Sequence, residues 1–304
     1  MVLVVILIAA GVTTLSHVAP SRFLLDLAYD DVAVWRMPQC GQKTIYLTFD
    51  DGPNPGVTPA LLDLLRRKEI RVTFFLIDEH LNEATAPIVA RMFEEGHAVA
   101  QHSGNRWLLL RSSDALSAEL RAAADRMQVL TGHRPCRLFR PHAGWRSITM
   151  MRGLRRSGYK LVGWSWMTWD WIWFRKRTGP RVAAHLISHA GPGKIIIIHD
   201  GHHRDPNADR QYAIEATARV VDSLLAQGYE FRSYAMLSMT TECGAAIQVC
   251  KTYRQKIVLA THGFPPYGAW NCKSGPVFGR IAYRSNQQAC FWMARTGSVS
   301  VQSS

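Results

Sequence analysis

The chain has no glycine-rich nucleotide loop, no cysteine–histidine spacing of a zinc module and no recognisable nucleic-acid-binding motif. Nucleic-acid partners are therefore not expected, although the formal charge is +13. No glycine elbow flanks Ser103 and no Cys–His pattern is complete, which argues against a serine or cysteine nucleophile. Cysteine is sparse, with six in 304 residues, so a disulfide-rich scaffold is excluded. Cys40 and Cys136 fall in the main body; Cys243, Cys250, Cys272 and Cys290 fall near the C-terminus, and spacing assigns no pairing. Acidic residues are the minority, 23 against 36 Lys and Arg, and such a balance suits an anionic envelope polymer or a membrane surface.

Residues 2–12 are almost continuously apolar and 13–19 stay mild. No Lys or Arg precedes the run, and it is short for a membrane span unless 13–19 are added. Two readings of 1–20 stand, a signal segment or an N-terminal membrane anchor. Both imply an exported, periplasmic or cell-envelope location, with membrane association through residues 2–19 in the second. A lead-in over 21–39 then precedes the main body, 40–238. The last part, 239–304, is basic and carries four of the cysteines. Beyond residue 240 it has seven Lys and Arg against one acid and no repeat, and reads as a weakly ordered extension rather than an accessory module.

In the main body, apolar strands alternate with amphipathic helices. Strands are expected at 45–49, 72–77, 98–101, 137–139, 159–163, 194–198 and 229–233. Helices are expected at 59–68, 86–95, 115–130 (capped by Ser113 or Asp114), 148–157, 180–188 and 211–226. Four consecutive isoleucines at 195–198 imply a strand buried on both faces. The pattern predicts an α/β sheet or barrel whose functional side chains sit at the carboxyl ends of strands.

Several strand ends carry chemistry. The first is followed by Thr48-Phe49-Asp50-Asp51-Gly52-Pro53. Two adjacent carboxylates there can divide the work, one binding a metal and the other taking a proton from water. Further along come His102-Ser103, then Arg140-Pro141-His142-Ala143-Gly144-Trp145, Asp170-Trp171 and Ile197-Ile198-His199-Asp200. In this order the motifs resemble those of the polysaccharide deacetylase family, carbohydrate esterase family 4, over residues 40 to 237.

The resemblance implies a distorted, incomplete (β/α) barrel of seven strands. It also implies a metal-dependent hydrolase that removes N-acetyl groups from amino-sugar polymers such as peptidoglycan or chitin-like oligosaccharides. In that picture Asp51 and His102 bind the metal and Asp50 is the general base, held by Arg140. His199 is the proton donor, oriented by Asp170. The adjacent Asp200 is the weaker partner, since neighbours on a strand point to opposite faces. The backbone N–H of Ala143 serves the oxyanion, and Gly144 permits the turn. Trp171 and Ile197 wall the acetyl pocket, while Trp107 and Trp145 are stacking platforms for sugar. The metal is zinc by default, with cobalt, nickel or manganese also compatible with such ligands.

The chain departs from the family at one ligand. Where the family carries a second histidine four residues after the first, this sequence has Arg106. Asn105 is the substitute if 102–105 form a helical turn, and His80, His142, His202 and His203 are further candidates. His202 and His203 read first as solvated loop residues. Trp164, Trp166, Trp169 and Trp173 read as core packing. Two alternatives to glycan deacetylation follow: an impaired, glycan-binding protein on the same fold, or a hydrolase of a non-sugar linear amide.

Overall fold

The computed structural model describes residues 1–17, 24–38, 42–167 and 178–234. Asp170, Trp171, Trp169 and Trp173 lie outside the described residues, as does the extension 239–304.

Each apolar strand feeds a helix that returns across the sheet, so the strands run parallel. The strands are β1 (Ala33–Val34), β2 (Thr44–Gly52), β3 (Thr73–Ile77), β4 (Ala98–His102), β5 (Leu138–Arg140), β6 (Lys160–Val162), β7 (Trp166–Met167), β8 (Ile195–His199) and β9 (Glu230–Phe231). Their order is β1-β6-β5-β4-β3-β2-β8-β7, with β9 pairing the start of β2. The seven strands β2 to β8 make the curled, incomplete half-barrel expected from the sequence, and β1 and β9 are two-residue additions. The helices are α1 (Val2–His17), α2 (Leu24–Ala28), α3 (Thr58–Arg67), α4 (Ala86–Glu94), α5 (Ser113–Thr131), α6 (Ile148–Ser157), α7 (Gly179–Ser188) and α8 (Gln211–Ala226). The N-cap of α5 is Ser112, one residue before the expected caps, and its hydroxyl accepts from Ala115 N–H at 3.2 Å. α1 is apolar, but among the described residues no helix is long and apolar enough to cross a membrane.

Alternation along the central strands separates two faces. Ile45, Leu47 and Phe49 of β2, Phe74 and Leu76 of β3, and Ile196 and Ile198 of β8 pack into one buried cluster with leucines and valines of α3 and α8. Tyr46, Phe75, Ala100 and Ile195 pack into another cluster on the opposite, inner face. Asp50 continues the inner series of Tyr46 and Thr48, and His199 continues that of Ile195 and Ile197. The register therefore matters: Asp50 is the cross-strand partner of His199.

The lead-in contributes to the body. β1 pairs with β6. Asp26 of α2 is fully buried, and its two carboxylate oxygens accept from Arg146 Nε and Nη2 at 2.8 and 2.6 Å. The Arg146 guanidinium also donates to Gly144 O at 2.9 Å and lies over the Trp35 ring. An ion pair between two groups without solvent exposure holds the segment after β5 to the N-terminal lead-in.

Candidate active site

β2 ends in a register shift between Asp50 and Gly52, with Asp51 at φ 69°. Such a bulge re-aims a side chain. The left-handed conformation costs a non-glycine residue roughly 1–2 kcal/mol, and such strain is characteristic of functional sites. His80, buried at the turn after β3, places Nδ1 3.2 Å from the Asp51 carbonyl oxygen. On the other side Gly201 packs so closely on Asp51 O that an added Cβ would overlap it.

Asp50 is held from across the half-barrel. Arg140, at the end of β5, is fully buried and donates from Nη1 to Asp50 Oδ1 at 2.5 Å and to Thr48 Oγ1 at 2.8 Å. Its Nε and Nη2 donate to Val162 O and Gly163 O, each at 3.0 Å. The guanidinium lies 3.8 Å above the Phe75 ring centroid. These contacts orient the carboxylate, and its other oxygen carries no hydrogen bond to a described residue.

Asp51 faces His102, the last residue of β4. Nδ1 of His102 is 2.7 Å from Arg140 O, and a carbonyl can only accept, so Nδ1 carries the proton. In the neutral ring Nε2 then presents its lone pair, and Nε2 is 3.1 Å from Asp51 Oδ1. That oxygen is buried and lacks a hydrogen-bond partner. Two lone pairs at this separation require a positive charge shared between them, either a proton on the imidazole or a metal ion. With zinc–ligand distances of about 2.0–2.2 Å, two tetrahedral ligand atoms lie roughly 3.3 Å apart, so the pair fits one edge of such a centre. Burial opposes charge on both groups. On Asp51 it is outweighed by His102, His199 and His142, which hold the carboxyl well below the usual range. On His102 it is outweighed by Asp51 and Asp50, which raise the imidazole's pKa.

The third ligand position is not filled as expected. The 3₁₀ turn begins at Arg106, after His102 rather than containing it, and Asn105 is exposed. Asn105 Oδ1 caps that turn by accepting from Trp107 N–H at 2.8 Å, so it does not face Asp51 and His102 as a ligand. Among the described residues no group of three His, Cys, Asp or Glu side chains stands ready to hold a metal. The donor set therefore fits a metal at two positions only.

His199 ends β8 beside Asp50 and is buried. The next residue, Asp200, points elsewhere, as strand alternation requires. Its Oδ2 accepts from Thr58 Oγ1 at 2.5 Å, and its carboxyl packs against Gly52. Burial, with the charges of Asp51 and Asp50, pushes its pKa up to about 7 against the Thr58 bond. Ile197 is buried on the inner face two residues earlier, among Trp35, Trp164 and Phe139. Ala143 adopts φ 49°, ψ 20° in the turn after β5. Gly144 N–H and Trp145 N–H close the turn onto Pro141 O and His142 O. The Ala143 N–H donates to no described residue, and Trp145 is half-buried.

Sequence reasoning missed Thr58 and the packing of Gly201, and it named His80 as a candidate ligand rather than as a neighbour of the Asp51 carbonyl. It also read the loop after β8 as solvated. Instead, the His203 ring is half-buried and lies tilted against those of His142 and His202, with ring centres 4.9 and 4.5 Å apart. His202 Nδ1 accepts from the backbone of Asp205 at 3.2 Å. Burial and the charge of His102 push His142 down to about 4, so it is neutral near neutral pH.

Residues 38–162 match the family described as polysaccharide deacetylase. A peptidoglycan-N-acetylglucosamine deacetylase of Bacillus cereus is 30% identical over 197 residues, covering 65% of this chain and 88% of that protein. The peptidoglycan-N-acetylmuramic acid deacetylase PdaA of Bacillus subtilis is 32% identical, covering 63% and 70%. A chitooligosaccharide deacetylase of Azorhizobium caulinodans is 31% identical, covering 62% and 91%. Among solved structures, Bacillus subtilis PdaA, described as a family 4 carbohydrate esterase, superposes with a TM-score of 0.62 at 26% identity, over 75% of this chain and 94% of that one.

Proposed function

The chain belongs to the polysaccharide deacetylase family, and on that premise we propose that it hydrolyses the N-acetyl group of an amino sugar in an acetylated glycan, peptidoglycan or a chitin-like oligosaccharide. The observation that supports this most is the pairing of Asp50 with His199 at the ends of adjacent strands, with Asp50 oriented by Arg140. A base and an acid are thereby set side by side on the inner face.

In this reading, water attacks the acetyl carbonyl and Asp50 takes its proton through the oxygen that Arg140 leaves free. The Ala143 N–H donates to the oxyanion of the tetrahedral intermediate. His199 gives a proton to the nitrogen as the C–N bond breaks, leaving acetate and a free amine. Asp170 orients His199, and Trp171, Trp145 and Ile197 shape the pocket. Asp51 and His102 supply two ligands to a divalent ion, zinc by ligand type, with cobalt, nickel or manganese as alternatives; when bound, such an ion polarises the carbonyl. The relatives' peptidoglycan and chitooligosaccharide substrates favour an exported location. Residues 2–19 are the segment that would serve as signal or membrane attachment.

A second reading, glycan binding without hydrolysis, is favoured by Arg106 and by the missing third ligand among the described residues. Trp107 is exposed beside a cavity of about 410 Å³ lined with Leu108, Leu110 and Arg111, a surface suited to a sugar ring. Acetate release by the full chain from acetylated chitooligosaccharides and peptidoglycan, with chelator and with added zinc, separates the two. Chelator-sensitive release is expected. Saturable binding without release would establish the second reading, and neither result would sink both.

A further inference from the structure

Position 106 holds a cation, and the charges around it do not cancel. Asp50 is matched by Arg140, and Asp51 faces His102 with a proton or a metal ion between them. Arg106 is exposed at the start of the 3₁₀ turn after β4, with its Cζ 5.9 Å from the centre of the Trp107 ring. Arg204 is exposed in the loop after β8. Neither guanidinium bonds to an acid among the described residues. Exposed acids beside them are engaged elsewhere. Glu119, which lines the cavity next to Trp107, pairs with Arg111 at 3.7 Å. Asp205 Oδ1 accepts from Asn207 N–H at 2.9 Å. The rim therefore carries surplus positive charge, and a bound metal ion would add to it.

Local contacts bring the two arginines to one side of the site. A Cβ added to Gly104 would lie 3.2 Å from the His203 carbonyl oxygen, so the segments that lead into Arg106 and Arg204 touch. The His142 N–H donates to Ser103 Oγ at 2.9 Å, which ties the turn after β5 to the same place. The rings of His142 and His203 are in contact, and no ring nitrogen of either bonds to a described residue. Burial lowers the pKa of both rings, and Arg106 adds to this at His142 as Arg204 does at His203. A neutral imidazole offers one donor and one acceptor, a pair suited to sugar hydroxyls.

We infer that this rim recognises an acidic glycan, in which Arg106, flanked by Arg204, binds a carboxylate on the amino sugar at the site or on its neighbour in the strand. The inference rests on the reading of the site as a glycan site, and not on hydrolysis. The planar guanidinium fork matches the two oxygens of a carboxylate. Trp107, exposed beside Arg106, gives the same sugar a stacking face. A neutral oligomer leaves both guanidiniums in water and gains nothing from them. Arg106 is thus a specificity-determining residue, and position 106 selects the substrate rather than holding a metal.

The test is calorimetric titration of the full chain with two carboxylate-bearing oligomers, chitooligosaccharides oxidised to the acid at C6 and peptide-free peptidoglycan oligosaccharides with lactyl ether carboxylates. Each is compared with its own methyl ester. The wild type is expected to bind the free acid of at least one pair about 10-fold or more tightly than the ester, the order expected of hydrogen bonds to a charged group. Which pair shows the preference tells where the carboxylate sits. Arg106→Gln should bring acid and ester to near equality and leave ester binding as it was, and Arg204→Gln should narrow the difference. Arg121→Gln removes a charge from the exposed face of α5 and should keep the preference, which separates a contact from net charge. All three side chains are exposed, so the variants are expected to fold. Equal affinities for acid and ester in both wild-type pairs, a preference that survives Arg106→Gln, an equal loss in Arg121→Gln, or no binding of any oligomer would each overturn the inference. Acetate release is read separately: a carboxylate preference without release would leave the inference standing and overturn the proposed hydrolysis.

Discussion

Arg140 reaches Asp50 across the interior of the half-barrel, from β5 to β2, passing over Phe75 of the intervening β3. One side chain thereby joins the base candidate to the backbone of Val162 and Gly163 at the end of β6. Removing it leaves a buried carboxylate and two buried carbonyls without their donor. Arg140→Met is expected to destabilise the fold by about 3–5 kcal/mol in urea denaturation. Arg140→Lys keeps the charge but not the planar fork, so it should recover part of that stability while acetate release stays low.

The carboxylate doublet is expected to divide by function. Asp50→Asn should lower acetate release by about 100-fold or more, the range for a general base, and leave zinc affinity near that of the wild type. Asp51→Asn should lose zinc affinity as well. Equal loss of zinc in both variants, measured by chelator competition, would contradict the division.

Gly201 tests the packing of the loop after β8 on the site. A Cβ there would overlap the carbonyl of Asp51, and backbone on both sides leaves little room to relax. Gly201→Ala should cost about 3 kcal/mol of stability and lower acetate release together with it. A variant of unchanged stability would show that the loop moves freely.

His97 sets a pH dependence remote from the site. Burial, with Arg71 and Arg91, pushes its imidazole from 6.5 down to about 4, and Nδ1 accepts from Val72 N–H. Between those values the unfolded chain binds the extra proton and the folded chain does not. Stability from this group is therefore complete above pH 6.5 and is lost as pH falls towards 4, by up to about 3 kcal/mol. Urea unfolding at pH 7 and pH 5 should show the decline in the wild type and a smaller one in His97→Gln.

Much of the fold was legible because its signal is periodic. α6 and α8 fall on residues 148–157 and 211–226 as the apolar spacing predicts, and most strands agree to within a residue or two. β1, α2 and β7 were not expected, since strands of two residues and a helix of five carry too few positions for a period to register. The motif residues at the ends of β2, β4, β5 and β8 converge because parallel strands bring their carboxyl ends to one rim. Asn105 failed for a local reason: the chain stays extended at that residue and turns only at Arg106, so no helical spacing connects it to His102. The contact of His142 with His203 joins residues 61 positions apart and depends on how two turns fold over the rim. No short-range pattern encodes that.

The match to the family begins at residue 38, yet Asp26 lies before it and Arg146 within it. A protein cut at the family boundary would therefore keep the cation and lose the fully buried carboxylate that pairs with it, at a cost of about 3–5 kcal/mol. Arg146 also holds Gly144 O, so the damage would fall on the turn that presents Ala143. Contacts that hold the rim therefore reach upstream of the region that defines the chain's kinship, and a protein begun at residue 38 is expected to be less stable, with a disturbed rim.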